Sequence, residues 1–173
     1  YSTTLNSTNA SYVSTTSWNS TAPTSTEFTL GTNTNTNANG VTYVAYLFAH
    51  NDSADGEFGP DGDQDIIKCG SFTSDGSGNM TVDLGFEPQW VMVKGSDIAQ
   101  NWTIVDVSRG WAMGNNQAVL YPNLSSAEAA SSQNLVNITS TGLTSFNTYL
   151  GGGNSYIYMA IRRGPLAPPT AAT

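Results

Sequence analysis

The chain has 173 residues, enough for one domain with a core of its own. Charged residues are only 10% of it, far below the roughly 25% of ordinary soluble domains, so Ser, Thr, Asn and Gly must carry its solubility. A net charge of −8 with 5 Lys+Arg argues against nucleic-acid binding and anionic membranes, one cysteine excludes an intrachain disulfide or cysteine metal cluster, and no apolar run reaches the ~20 residues of a bilayer span.

In chain order, residues 1–22 read as an irregular or short-stranded lead-in, with Tyr12, Val13 and Trp18 as isolated anchors. Phe28-Thr29-Leu30 predicts a short strand, and Gly31 to Gly40 a Thr/Asn loop. Val41 to Phe48 is apolar on both faces and predicts a central strand covered on both sides. Asn51 to Asp65 must be a loop. Ile66–Phe72 and Met80–Leu84 predict strands on either side of a turn at Asp75-Gly76. Trp90–Lys94, after Pro88, predicts another, and Asn101–Val107 alternates as a strand does. Ala118–Tyr121 predicts a short strand. Ser125–Ser132 is the one stretch that predicts a helix, capped by Ser125 or Ser126 with Glu128 in its first turn. Leu135–Ile138, Gly142–Phe146 and Tyr156–Arg162 predict the last strands, and Leu166–Thr173 reads as a Pro/Ala linker. Many short strands between turn signals point to an all-β fold, an antiparallel β-sandwich.

The chain also repeats part of itself. Thr24-Ser25-Thr26-Glu27-Phe28-Thr29 leads through a polar loop to Gly40-Val41-Thr42-Tyr43-Val44-Ala45-Tyr46-Leu47-Phe48. Thr139-Ser140-Thr141-Gly142-Leu143-Thr144 leads through Gly151-Gly152-Gly153 to Tyr156-Ile157-Tyr158-Met159-Ala160-Ile161. The offset of roughly 115 residues suits a tandem domain better than a solenoid. It predicts that the strands holding Tyr43 and Tyr156 are equivalent and central. It divides the chain into 1–50, the C-terminal half of a preceding repeat packed with the main domain; 51–165, the main repeat; and 166–173, a linker or tail. The opening inside this pattern, without a methionine, reads as a piece of a longer polypeptide.

Tyr43-Val44-Ala45-Tyr46-Leu47-Phe48-Ala49-His50 resembles a motif of repeat domains in tail-fibre and other virion proteins of tailed bacteriophages, especially marine ones. So do Ile67-Lys68-Cys69-Gly70-Ser71-Phe72, Leu84-Gly85-Phe86-Glu87-Pro88-Gln89-Trp90-Val91-Met92-Val93-Lys94, Asp106 with Arg109-Gly110, and the closing Tyr156 to Pro165. These segments cover most of residues 24–165. The resemblance implies a concanavalin-like or jelly-roll sandwich in a phage appendage. It brings no catalytic residues with it.

Three kinds of site are conceivable. Asp61-Gly62-Asp63-Gln64-Asp65 sets carboxylates on alternate residues, a pattern that can offer Ca²⁺ several oxygens from one loop. It lacks the glycine and distal Glu of an EF-hand, and a solvated acidic loop reads the same way. Among the tryptophans, Trp90 and Trp102 sit in apolar strands and belong to the core. Trp111, beside Gly110 and before Gly114-Asn115-Asn116, is the candidate ligand-facing aromatic for a sugar ring. Glu87 with Asp83 or Asp106 would be a glycosidase pair, but Glu87 lies in a turn and Asp106 is set to pair with Arg109. His50 is the single histidine, and no Gly-x-Ser-x-Gly elbow accompanies it. Cys69 reads as a small buried hydrophobe. Eight Asn-x-Ser/Thr sequons, at Asn6, Asn9, Asn19, Asn51, Asn79, Asn101, Asn123 and Asn137, follow from so polar a composition.

The expected function is therefore a non-catalytic structural repeat of a virion appendage, a tail fibre or capsid-attached fibre, with a role in host-surface attachment. The alternatives are a carbohydrate-binding module and a glycosylated surface filament or adhesin. Expected partners are copies of itself, other virion proteins and a host-surface glycan. Nucleic acid and membrane insertion are not expected. Ca²⁺ is the only cofactor to consider, and the virion is the expected location.

Overall fold

The computed structural model describes residues 1–48, 65–111, 117–131, 136–145 and 150–164. Two one-turn helices, α1 (Thr15–Trp18) and α2 (Thr34–Asn37), come first. The strands follow: β1 (Ile67–Thr73), β2 (Met80–Asp83), β3 (Pro88–Gly95), β4 (Thr103–Asp106), β5 (Gln117–Val119), β6 (Ala129–Ser131), β7 (Asn137–Ile138), β8 (Gly142–Ser145) and β9 (Ser155–Arg162). A 3-10 turn, Val107–Arg109, follows β4.

Every strand pairing among the described residues is antiparallel. The largest sheet runs β1-β9-β3-β4, a second runs β2-β8-β7, and β5 pairs with β6. The fold is all-β. The first two sheets feed one apolar core: Val91, Val93, Val105, Tyr156 and Ala160 come from the larger, Met80 and Leu143 from the smaller. Leu84, Leu143 and Val91 are fully buried, each worth about 1.5–3 kcal/mol of transfer free energy. Tyr156 stacks on Phe72 across β9 and β1, with centroids 5.1 Å apart and planes 15° from parallel.

The turn between β1 and β2 is organised by Asp75. Its carboxylate accepts the Ser77 and Asn79 backbone N–H groups, each at 2.8 Å, and the Asn79 side-chain amide at 3.0 Å. It is an Asx-type turn, as Asp and Gly there suggest. Ser74 Oγ donates to Gly151 O at 2.6 Å, and Gly153 N–H donates to Asp75 O at 2.9 Å. These bonds tie this turn to the loop that opens β9.

Three expectations are corrected. Val41–Phe48 is neither a central strand nor the structural equivalent of β9 in this chain: it carries no ladder, and all its residues are exposed, from Tyr43 at 43% to Tyr46 at 82%. A strand apolar on both faces needs a neighbour on each side, and β9 already occupies the place between β1 and β3. Phe28–Leu30 likewise forms no strand. The helix expected over 125–132 is absent as well: Ala129–Ser131 pairs with Gln117–Val119 as β6. A stretch that short cannot nucleate a helix without packing, so the sheet partner prevails.

Candidate functional site

The first 12 residues are strapped across the end of β3. Lys94 is fully buried, and its ammonium donates to three backbone carbonyls: Gly95 O at 2.7 Å, Thr8 O at 3.3 Å and Ile98 O at 3.4 Å. Burial pushes its pKa down, because desolvation disfavours the charged form. Ser11 N–H donates to Ser96 O at 2.8 Å, Gln100 N–H to Thr8 O at 2.9 Å, and the Trp102 indole N–H to Thr4 O at 3.0 Å. This strap positions the segment that follows.

That segment builds a cleft of about 590 Å³, lined by Tyr1, Val13, Trp18, Pro23, Phe28 and Thr29. Ser14 caps α1 by accepting Ser17 N–H at 3.0 Å. The helix ends at Asn19 in a left-handed conformation, a residue type that tolerates it. The Trp18 and Phe28 rings meet edge to face, 6.4 Å apart at 67°. The Trp18 N–H donates to Ser2 Oγ at 2.6 Å, so one ring edge is fixed. Both rings stay more than a third exposed. Ser14, Ser20 and Thr21 add hydroxyls. This surface can hold a sugar ring or the apolar side chains of a protein partner. It contains no acid–base pair.

The residues singled out from sequence lie elsewhere. Trp111 is not solvent-facing: it is 7% exposed, inside the core, and its indole N–H donates to Val136 O at 2.7 Å. The glycine beside it marks a left-handed turn, Gly110 at φ +87°, and that turn sends the ring inward. Asp61 and Asp63 lie outside the described residues, as does His50; Asp65 is described and buried. Among the described residues, no group of three or more His, Cys, Asp or Glu side chains is placed to hold a metal. Asp106 pairs with Arg109, as expected, and also accepts the Arg109 backbone N–H at 3.0 Å. Glu87 forms an ion pair with Arg163 at 2.6 Å. Neither carboxylate faces a cleft partner. Cys69 is half-buried on β1, and burial raises its thiol pKa. Of the sequon asparagines, Asn137 is buried, and the Asn123 side chain accepts Trp102 N–H and donates to Asn101.

Among the buried polar residues that were not foreseen are Lys94 and Gln117. The Gln117 side-chain amide donates to Val136 O at 2.7 Å and accepts Val136 N–H at 3.3 Å, as a ladder partner would. Gln117 satisfies a backbone 19 residues away, and Lys94 joins its own loop, at Gly95 and Ile98, to the distant Thr8, so no sequence pattern marks either.

The model of one protein family, a domain of unknown function called DUF7483, matches residues 1–165. The chain belongs to the DUF7483 family. The match takes in the strap, the aromatic cleft, the exposed Val41–Phe48 segment and the three sheets alike. No curated protein matches this DUF7483 chain, and no solved structure does. Among its described residues, no helix is long and apolar enough to cross a membrane.

Proposed function

We propose that this DUF7483 chain is a non-catalytic structural repeat, a unit of a β-sandwich array in an extended appendage of a virion, where it contributes to attachment at a host surface. One observation carries the repeat. Thr24 N–H donates to Glu27 O at 2.8 Å, and Thr139 N–H donates to Gly142 O at 2.9 Å, the same turn at matched positions. Tandem repetition suits an extended assembly, in which each unit contacts its neighbours. The polar, weakly charged composition supports the same reading, and the resemblance of the motifs supports the virion. Antibodies raised against the chain test it. They should decorate an appendage on particles purified from the producing culture. Antigen confined to the soluble fraction would overturn the proposal.

A second reading is a carbohydrate-binding module, favoured by the Trp18–Phe28 cleft and its hydroxyls. Aromatic faces with polar rims suit sugar rings. A glycan array would detect it, with binding lost in Trp18→Ala. No binding by the intact chain would retire this reading and leave the first untouched.

A further inference from the structure

The two halves of the internal repeat agree in backbone and then part company. Their Thr-Ser-Thr turns share a hydrogen bond. Gly40 and Gly153, which open the two Tyr-bearing segments, both stand at φ +74°. Beyond Gly153 the chain enters β9, paired on one side with β1 and on the other with β3. Beyond Gly40 it enters Val41–Phe48, which pairs with nothing among the described residues and is exposed throughout.

Matching the two glycines sets a register. Tyr43, Ala45 and Leu47 fall on Tyr156, Tyr158 and Ala160, the inward face of β9, at 0%, 8% and 0% exposure. Val44, Tyr46 and Phe48 fall on Ile157, Met159 and Ile161, its other, half-buried face. Upstream the register is set by the turns instead, because the stretch from Thr24 to Gly40 is two residues longer than that from Thr139 to Gly153; there Phe28 falls on Leu143, a fully buried core residue, yet Phe28 is 39% exposed and walls the aromatic cleft. Val41–Phe48 and Phe28 are thus both exposed at positions whose counterparts lie in the core.

We infer that Val41–Phe48 is the last strand of a sheet whose flanking strands, of β1 and β3 type, belong to a second copy of this domain placed ahead of it. An eight-residue segment apolar on both faces is stable as a strand only between two neighbours, and an uncovered one is a template for pairing. The same placement brings the counterpart of Phe72 onto the Tyr43 ring and the counterpart of the Asp75 carbonyl to Gly40 N–H. In the chain as it stands, the Tyr43 hydroxyl is held instead by α2, donating to Thr34 O at 2.8 Å and accepting Ala38 N–H at 2.9 Å. One position departs from the match. Glu27 stands where Gly142 does, and a Cβ at Gly142 would come within 2.0 Å of Val82 O. The β2-type strand of the other copy must therefore sit farther from Glu27 than β2 does from Gly142. The inference rests on the repeat in the proposed function and not on the virion, so the labelling experiment can fail without affecting it.

The test keeps the whole chain and adds residues 51–115 directly before Tyr1, which completes one repeat at the offset of about 115. Hydrogen exchange is then followed at the amides of residues 43–48. In the 173-residue chain they should exchange at close to unprotected rates. In the extended chain they should slow by roughly 100-fold or more, as amides in a central strand do. Val44→Pro removes a donor from the strand centre, so it should abolish that protection and leave β9 unchanged. Residues 43–48 that still exchange freely in the extended chain would overturn the inference. So would an added segment that stays unfolded beside an intact β9, since the strand would then have failed to complete it. Protection that survives Val44→Pro would also overturn it.

Discussion

Gly40 and Gly153 adopt the same left-handed backbone angle, φ +74°, at the entrance to two segments of matching sequence. A Cβ at either would meet nothing within 4 Å, so the demand for glycine is conformational rather than steric. Only one of the two leads into a paired strand, and the pair therefore separates backbone strain from its effect on a packed sheet.

Gly153→Ala should cost about 1–2 kcal/mol, the strain of a left-handed non-glycine residue. Gly153→Asn should cost less, because Asn visits that region more readily. Gly40→Ala should leave the unfolding midpoint of the 173-residue chain nearly unchanged, because no packed strand depends on it. Denaturant unfolding of the three variants checks all three outcomes.

Lys94→Met keeps the apolar stem and removes the ammonium. It leaves the carbonyls of Thr8, Gly95 and Ile98 without this donor. Thr8 O keeps the Gln100 N–H, so the expected cost of about 1–3 kcal/mol falls on the Gly95 and Ile98 carbonyls. Limited proteolysis should then cut within residues 4–12 first, because the strap loses an anchor. A variant as stable and as resistant as the parent would show that the Ser11, Gln100 and Trp102 hydrogen bonds hold the strap without Lys94.

Trp111→Ala should destabilise by about 3–5 kcal/mol, the usual cost of truncating a buried tryptophan. Trp111→Phe should cost less, since Gln117 still donates to Val136 O. A Trp111→Ala chain that unfolds at the parent midpoint would contradict the buried position.

How far the fold was legible depended on whether a strand's signal was local. β1, β3, β8 and β9 are short apolar or alternating runs between turn residues, and each lies where its pattern pointed. Val41–Phe48 has the strongest pattern of all and forms no strand. Composition reports what a segment requires, not whether its neighbours are present. Trp111 was misjudged for a similar reason. Its adjacent glycine is visible in sequence, whereas the Val136 carbonyl that takes its N–H lies 25 residues away. The aromatic cleft joins Trp18 to Phe28 through a one-turn helix in a polar stretch, which no periodicity marks.

Asp75 gives an acid-side prediction. Hydrogen bonds from Asn79 and Ser77 hold its carboxyl below the ordinary aspartate range. A depressed folded pKa means that its stabilisation is fully present above the ordinary value of about 3.9 and is lost as pH falls through the lower, folded value. The Asp75 carboxyl should titrate below about 3.9 by NMR. In Asp75→Asn, the part of the acid dependence owed to this turn should vanish.

The central claim is that residues 24–48 and 139–162 are the same repeat element, one complete and one awaiting a neighbouring copy. A cryo-electron map of the intact assembly that carries this chain tests it most directly. The account predicts a row of like sheets along an appendage, with Val41–Phe48 lying between two strands of an adjacent copy as β9 lies between β1 and β3. A map that shows Val41–Phe48 exposed to solvent, or packed on an unrelated protein, would contradict it.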